Sequence, residues 1–202
     1  MKRDECWRGS FCRRKRRAIR SIVMELPRLI LLNGVSSSGK TSIAHLLQER
    51  LDILYLNFSI DSVLYALPPS DLRAMMEGRK IAREEYKYTR LVRGFHAAVA
   101  GLLATGNRLI VDNALTREDW RMDFDAAVAP YNVVRIGVLC ELSVARQREF
   151  ARGDRAVGTA EAEFPLAHVD MAYDLTVDTS FSGPDKAASV ILDWLRTDHR
   201  HR

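Results

Sequence analysis

No stretch of this chain approaches the roughly 20 consecutive apolar residues that a membrane-spanning helix needs, although 47% of its 202 residues are hydrophobic. The apolar residues come in short runs, which suits the core of a soluble protein rather than a bilayer. Cysteine is scarce. Cys6, Cys12 and Cys140 are odd in number and lack metal-ligand spacing, so neither a disulfide framework nor a zinc site is indicated, and a reducing compartment, the cytoplasm, is expected. Histidine is thin as well, and the pair His199 and His201 at i,i+2 is a weak metal signal. The N-terminal stretch does not read as a secretory signal, because Arg20 and Glu25 interrupt the apolar residues that follow its basic run.

Acidic residues are outnumbered, giving a net charge of +5, but the excess is local. Residues 1–27 hold nine Lys or Arg against three acids, a balance of +6, which leaves the remainder of the chain at −1. The run Arg13-Arg14-Lys15-Arg16-Arg17 therefore belongs to a basic tail over residues 1–26 that is expected to be disordered, and nucleic acid could be contacted only through it; a solvated tail is the plainer alternative. Residues 27–198 are expected to form a single domain, with 199–202 as a frayed end.

What is present is a phosphate-loop pattern, Gly34-Val35-Ser36-Ser37-Ser38-Gly39-Lys40-Thr41, matching G-x-x-x-x-G-K-[ST] at every fixed position. The apolar run 28–33 before it reads as a buried strand. Ile43, Ala44, Leu47 and Leu51 after it lie at helical spacing, so the strand–loop–helix context is complete. The chemistry needs each residue type: glycines let the backbone curl so that its N–H groups converge on phosphate oxygens, and the helix N-terminus adds a positive dipole end. Lys40 is placed to bridge the β- and γ-phosphates of ATP, and the Thr41 hydroxyl to ligate Mg²⁺. An ordinary Gly/Ser-rich turn is the competing reading.

Three further positions stand out. The run 54–60 reads as a second strand delivering Asp61 to the sheet edge, where it is either a general base for an attacking hydroxyl or the N-cap of the following helix. Leu109-Ile110-Val111-Asp112 has the form of a strand whose terminal acid helps hold Mg²⁺. Around Ala151-Arg152-Gly153-Asp154-Arg155, Gly153 would permit a hinge, so that Arg152 and Arg155 swing onto the phosphates; a solvated basic face is the alternative. Pro68-Pro69 is read as a break followed by a polar stretch to Arg83 that could cover an acceptor, with Met75 and Met76 as its main apolar content. Helices are expected over 84–105, 116–129 and from Pro184, the last presenting Ala187, Val190, Ile191, Trp194 and Leu195. His96 is taken as structural, and a last strand is expected over 175–180.

Taken in order, Leu31-Leu32-Asn33-Gly34 with its Ser-rich loop, Ile60-Asp61-Ser62, Ile110-Val111-Asp112, Ala151-Arg152-Gly153-Asp154-Arg155 and Val177-Asp178-Thr179 resemble the chloramphenicol phosphotransferase family across residues 28–197. The resemblance implies an α/β P-loop kinase fold, a parallel sheet sandwiched by helices with a small Arg-containing lid. It also implies transfer of the γ-phosphate of ATP, with Mg²⁺, to a hydroxyl of a small molecule, chloramphenicol or a compound of comparable size. Residue by residue, it implies Asp61 as base, Lys40 on the phosphates, Arg152 and Arg155 as lid arginines, and the turn carrying Asp178 and Thr179 near the adenine. Where the family has two consecutive acids after the third strand, this chain has Asp112-Asn113, and the basic tail has no counterpart. A polynucleotide 5′-hydroxyl kinase and a non-catalytic ATP-binding regulator are the other readings of the loop.

Overall fold

The computed structural model describes residues 26–152 and 157–198. The basic run 13–17, Cys6, Cys12, Arg155 and the 199–202 tail lie outside the described residues. Strand β1 (Leu29–Asn33) is buried along its whole length, as a central parallel strand covered on both faces must be. It is followed by helix α1 (Lys40–Arg50), β2 (Leu56–Ser59), the short α2 (Ile60–Leu64), α3 (Pro69–Met76), α4 (Tyr88–Ala104) and β3 (Leu109–Asn113). Then come α5 (Glu118–Val128), β4 (Val133–Leu139), α6 (Leu142–Arg152), α7 (Thr159–Glu163), β5 (Leu175–Asp178) and α8 (Pro184–Asp198).

The five strands are all parallel, in the order β2-β3-β1-β4-β5. The chain leaves β1 for the β2 edge, returns through β3 and then crosses to β4, so the order reverses at β1. Open parallel sheets bind ligands at such a point, beyond the carboxyl ends of the strands. Alternation along the strands fills two cores. Ile30, Leu32, Ile110, Ile136 and Val138 point toward α1 and α8, where Ile43, Leu47, Ile191 and Leu195 complete one layer. Leu29, Leu31, Leu109 and Val111 point the other way, onto Phe95, Val99 and Leu103 of α4 and Phe124 and Val128 of α5.

Two expectations change. The stretch after Pro68-Pro69 begins as a helix and turns irregular only from residue 77 on: Pro69 is the first residue of α3, a position where its missing N–H costs nothing and its fixed φ suits the helix. In α8 the buried face is Ala187, Ala188, Ile191, Leu192 and Leu195, while Val190 is 43% exposed, so the stripe is turned slightly from the one the spacing suggested. His96 is structural as expected, buried between Phe95 and Phe124 with Nδ1 2.6 Å from Asp123 Oδ2.

Candidate active site

The loop between β1 and α1 is positioned by backbone contacts. Gly34 N donates to Asn113 O at 3.3 Å on one side. On the other, a Cβ at Gly34 would lie 2.4 Å from the Val138 carbonyl oxygen of β4, so no side chain fits there. Ser37 (φ 61) and Gly39 (φ 95) take left-handed conformations that curl the loop. Beneath it, the fully buried Thr179 donates its hydroxyl to Ser38 O at 2.7 Å, and Arg148 of α6 donates to Thr179 O at 2.7 Å.

Lys40 Nζ lies along the inside of the curl, donating to the carbonyls of Gly34 and Val35 at 2.8 and 2.7 Å. A cavity of about 110 Å³ opens above the loop, lined by Ser36, Ser37, Gly39, Lys40 and Thr41. Asp61, Asp112 and Arg152 line the same cavity, so residues far apart in the sequence meet in one place. The Ser37 hydroxyl, also on this wall, is buried and has no hydrogen-bond partner among the described residues. A buried hydroxyl left this way suits a polar ligand.

Register explains how the two carboxylates meet. Asp112 pairs with Leu32 of β1 and with Ser59 of β2, and Asp61 follows Ser59 by two residues at the same sheet edge. Ser59 is the N-cap of α2, with Ser62 completing a capping box. Asp61 therefore does not serve as the cap, and its carboxyl lines the cavity instead.

Thr41 and Asp112 offer one hydroxyl and one carboxylate on the same cavity. Mg²⁺ is held by few protein oxygens together with phosphates, so this donor set fits it. Among the described residues no group of three or more His, Cys, Asp or Glu could hold a metal by itself. Asp178 and Thr179 are not part of the cavity wall: Thr179 supports the loop from below, and Asp178 accepts from Ser180 N at 2.7 Å. The Ser180 hydroxyl, and then that backbone N–H, hold the Asp178 pKa below the usual carboxylate value.

The opposite wall is aromatic. Tyr88, Phe95 and Trp120 line the cavity, with Tyr88 and Trp120 ring centroids 5.8 Å apart. Next to it lies a recess of about 250 Å³ formed by Leu64, Tyr65, Leu72, Met75 and Met76. Ile60, Asp61, Tyr88 and Glu163 belong to both spaces. Met75 and Met76 thus line this recess.

Several of these residues were invisible in the sequence. Asn33, at the end of β1, donates to Ala167 O at 2.6 Å and to the Tyr173 hydroxyl at 2.7 Å, and accepts from Leu115 N at 2.9 Å. The Tyr173 hydroxyl in turn lies 2.7 Å from His168 Nδ1. Burial, and then the charge of Lys40, lower the His168 pKa, while burial raises that of Tyr173.

The buried Glu149 of α6 accepts from Gly158 N and Ala160 N, both at 2.9 Å, and so fastens the start of α7 to α6. Arg146 of α6 and Glu161 of α7 form an ion pair beside it. At the end of α7, Glu163 Oε2 accepts the Ser36 N–H at 2.6 Å. No sequence motif marks either carboxylate.

Comparison with known proteins places the chain in a family and a fold. Residues 27–196 match the model of the chloramphenicol phosphotransferase-like protein family. A Mycobacterium tuberculosis H37Rv protein named "Putative O-phosphotransferase Rv2636" is 28% identical over 173 residues, covering 76% of this chain and 75% of its own length. Among solved structures, a sugar kinase from Janibacter sp. HTCC2649 superposes with a TM-score of 0.64 at 15% identity, over 85% of this chain and 96% of that one. The APS kinase CysC of Mycobacterium tuberculosis, in complex with AMPPNP and APS, gives 0.56 at 19% identity, over 85% and 99%. These likenesses show a P-loop kinase fold. The chain belongs to the chloramphenicol phosphotransferase-like family, and it is a phosphotransferase of the kinase type acting on an alcohol group.

Proposed function

We propose that this member of the chloramphenicol phosphotransferase-like family moves the γ-phosphate of ATP to a hydroxyl of a small molecule with an apolar body, chloramphenicol or a compound of similar size and character. The observation that carries this reading is the position of Asp61, shared between the phosphate-loop cavity and the recess of Leu64, Leu72, Met75 and Met76. A ring or alkyl group seated in the recess would present its hydroxyl beside a carboxylate, with the phosphate loop across the cavity.

In this reading Asp61 takes the acceptor's hydroxyl proton as the oxygen attacks the γ-phosphorus, the bond from that phosphorus to the β,γ-bridging oxygen breaks, and ADP leaves. Lys40 and the loop N–H groups hold the phosphates, and Arg152 and Arg155 offset the charge that builds on the transferred group. Thr41 and Asp112 would hold Mg²⁺, which when bound draws charge from the phosphate oxygens. The turn at Asp178 and Thr179 lies on the adenine side. Catalysis here is mostly positioning and charge neutralisation. The site of action would be the cytoplasm, where ATP is available, and antibiotic resistance is the physiological consequence if chloramphenicol is the acceptor.

Transfer from γ-labelled ATP with Mg²⁺ to chloramphenicol, to other apolar alcohols, and to sugars and shikimate tests this. Asp61→Asn is expected to keep nucleotide binding nearly intact and to lower turnover by about 10²–10⁴-fold, as loss of a general base does. An unchanged rate in the variant would remove Asp61 from the chemistry. Preferred transfer to sugars would remove the apolar acceptor.

A further inference from the structure

The anion cradle of the phosphate loop is in contact with a carboxylate of the chain itself. Ser36 N donates to Glu163 Oε2 at 2.6 Å, across 127 positions of sequence, and Glu163 lines the same cavity as Lys40, Gly39 and Thr41. Glu163 is the last residue of α7, the negative end of a helix, where a carboxylate is mildly unfavourable. The curled N–H groups of the loop favour an anion of any origin. A phosphate oxygen and the Glu163 carboxylate cannot accept the same N–H in line, so the two compete.

The segment that carries Glu163 is held in place. Glu149 fastens Gly158 and Ala160 to α6, and Arg146 pairs with Glu161. Arg152, the last residue of α6, lines the cavity too. One lid therefore presents both a carboxylate and a guanidinium to the phosphate site.

We propose that Glu163 is a built-in competitor of the nucleotide: its carboxylate holds the Ser36 amide until a polyphosphate displaces it. The proposal rests on the reading of the loop as the ATP site. A tethered carboxylate competes at an effective concentration in the millimolar range or above. Single weakly bound anions are thereby turned away, whereas a triphosphate, with more charge and more acceptor oxygens, wins. The apparent affinity for ATP equals the intrinsic affinity reduced by the fraction of molecules with the cradle open.

Isothermal titration of wild type, Glu163→Gln and Glu163→Ala with ATP, tripolyphosphate and adenosine tests it. If the cradle is open in a few to twenty per cent of molecules, both variants bind ATP and tripolyphosphate about 5–50-fold more tightly, with adenosine unchanged. Should Glu163→Ala fold poorly, Glu163→Gln, which keeps size and shape, carries the test alone. Unaltered or weaker tripolyphosphate binding overturns the proposal, and weaker binding would make Glu163 a supporter of the nucleotide instead. Equal tightening for adenosine also overturns it, since the gain would not be in the phosphates. Lys40→Met run alongside separates this from the premise: loss of tripolyphosphate binding there upholds the loop as the ATP site whatever Glu163 does, and retention would fail that reading itself.

Discussion

The two sides of the cleft are built from different materials. On the donor side, the phosphate loop is fixed by backbone: Gly34 lies against the Val138 carbonyl, Ser38 O receives the Thr179 hydroxyl, and β1 beneath is buried from end to end. On the side where we propose that the acceptor sits, the recess is formed by the side chains of α2 and α3, and of these helices' residues only Leu64 and Ala74 are buried. A backbone-built site has little room for variation, because ATP is always the same ligand. A side-chain-built site can change its occupant one residue at a time, and a shared donor fold can thus serve acceptors as unlike as sugars and APS in the structural relatives.

The most direct way to break this comparison is on the donor side. Gly34→Ala puts a methyl group into a carbonyl oxygen of β4 that cannot step aside, so nucleotide binding should be lost, with about 1–3 kcal/mol of stability, the usual range for overpacking. Denaturant unfolding and ATP titration on one preparation would read both. A variant that binds ATP normally would show that the loop start is less constrained than its contacts say.

A smaller, graded effect is expected across the cleft. Met76→Ala removes apolar surface from the recess wall, at a cost of about 1–2 kcal/mol of acceptor binding. The acceptor KM should therefore rise by roughly 5–30-fold, by that same free-energy range, while the KM for ATP stays put. Parallel rises in both constants would mean that the two sides are not separable.

The smallest effect concerns pH. His168 is held below its ordinary pKa of 6.5, first by burial and then by Lys40, so the unfolded chain takes up its proton more readily than the folded one. The stability this contributes is fully present above the ordinary value and is lost as the pH falls through the lower folded value. His168→Asn should flatten the acid limb of a thermal unfolding curve between about pH 7 and pH 5. An acid limb of the same slope in the variant would assign the loss to other groups.

Legibility followed the same division. The loop, β1 and α1 could be read because their chemistry dictates local sequence: glycines where the chain must curl, an unbroken apolar run where a strand is covered on both faces. Asp112 was found by the same logic. Asp61 was ambiguous, since an acid before a helix is also a good cap, and only the position of Ser59 shows that Asp61 is not that cap. The acceptor side was poorly legible. Pro68-Pro69 is a breaker by composition, yet Pro69 begins a helix, and only that helix places Leu72, Met75 and Met76 on a common recess. Asn33, Tyr173, Glu149 and Glu163 act through contacts with distant or lid residues that no short pattern encodes.

The buried carboxylate of Glu149 has one more consequence, for engineering. By gripping Gly158 and Ala160, it sets where α7 begins relative to α6. One side chain of the first helix thereby works as a hook for the second, and Glu163 at the far end of α7 is carried with it to the loop. Residue 149 is therefore a handle from which the placement of α7 could be reset while the phosphate loop's own sequence is left unaltered.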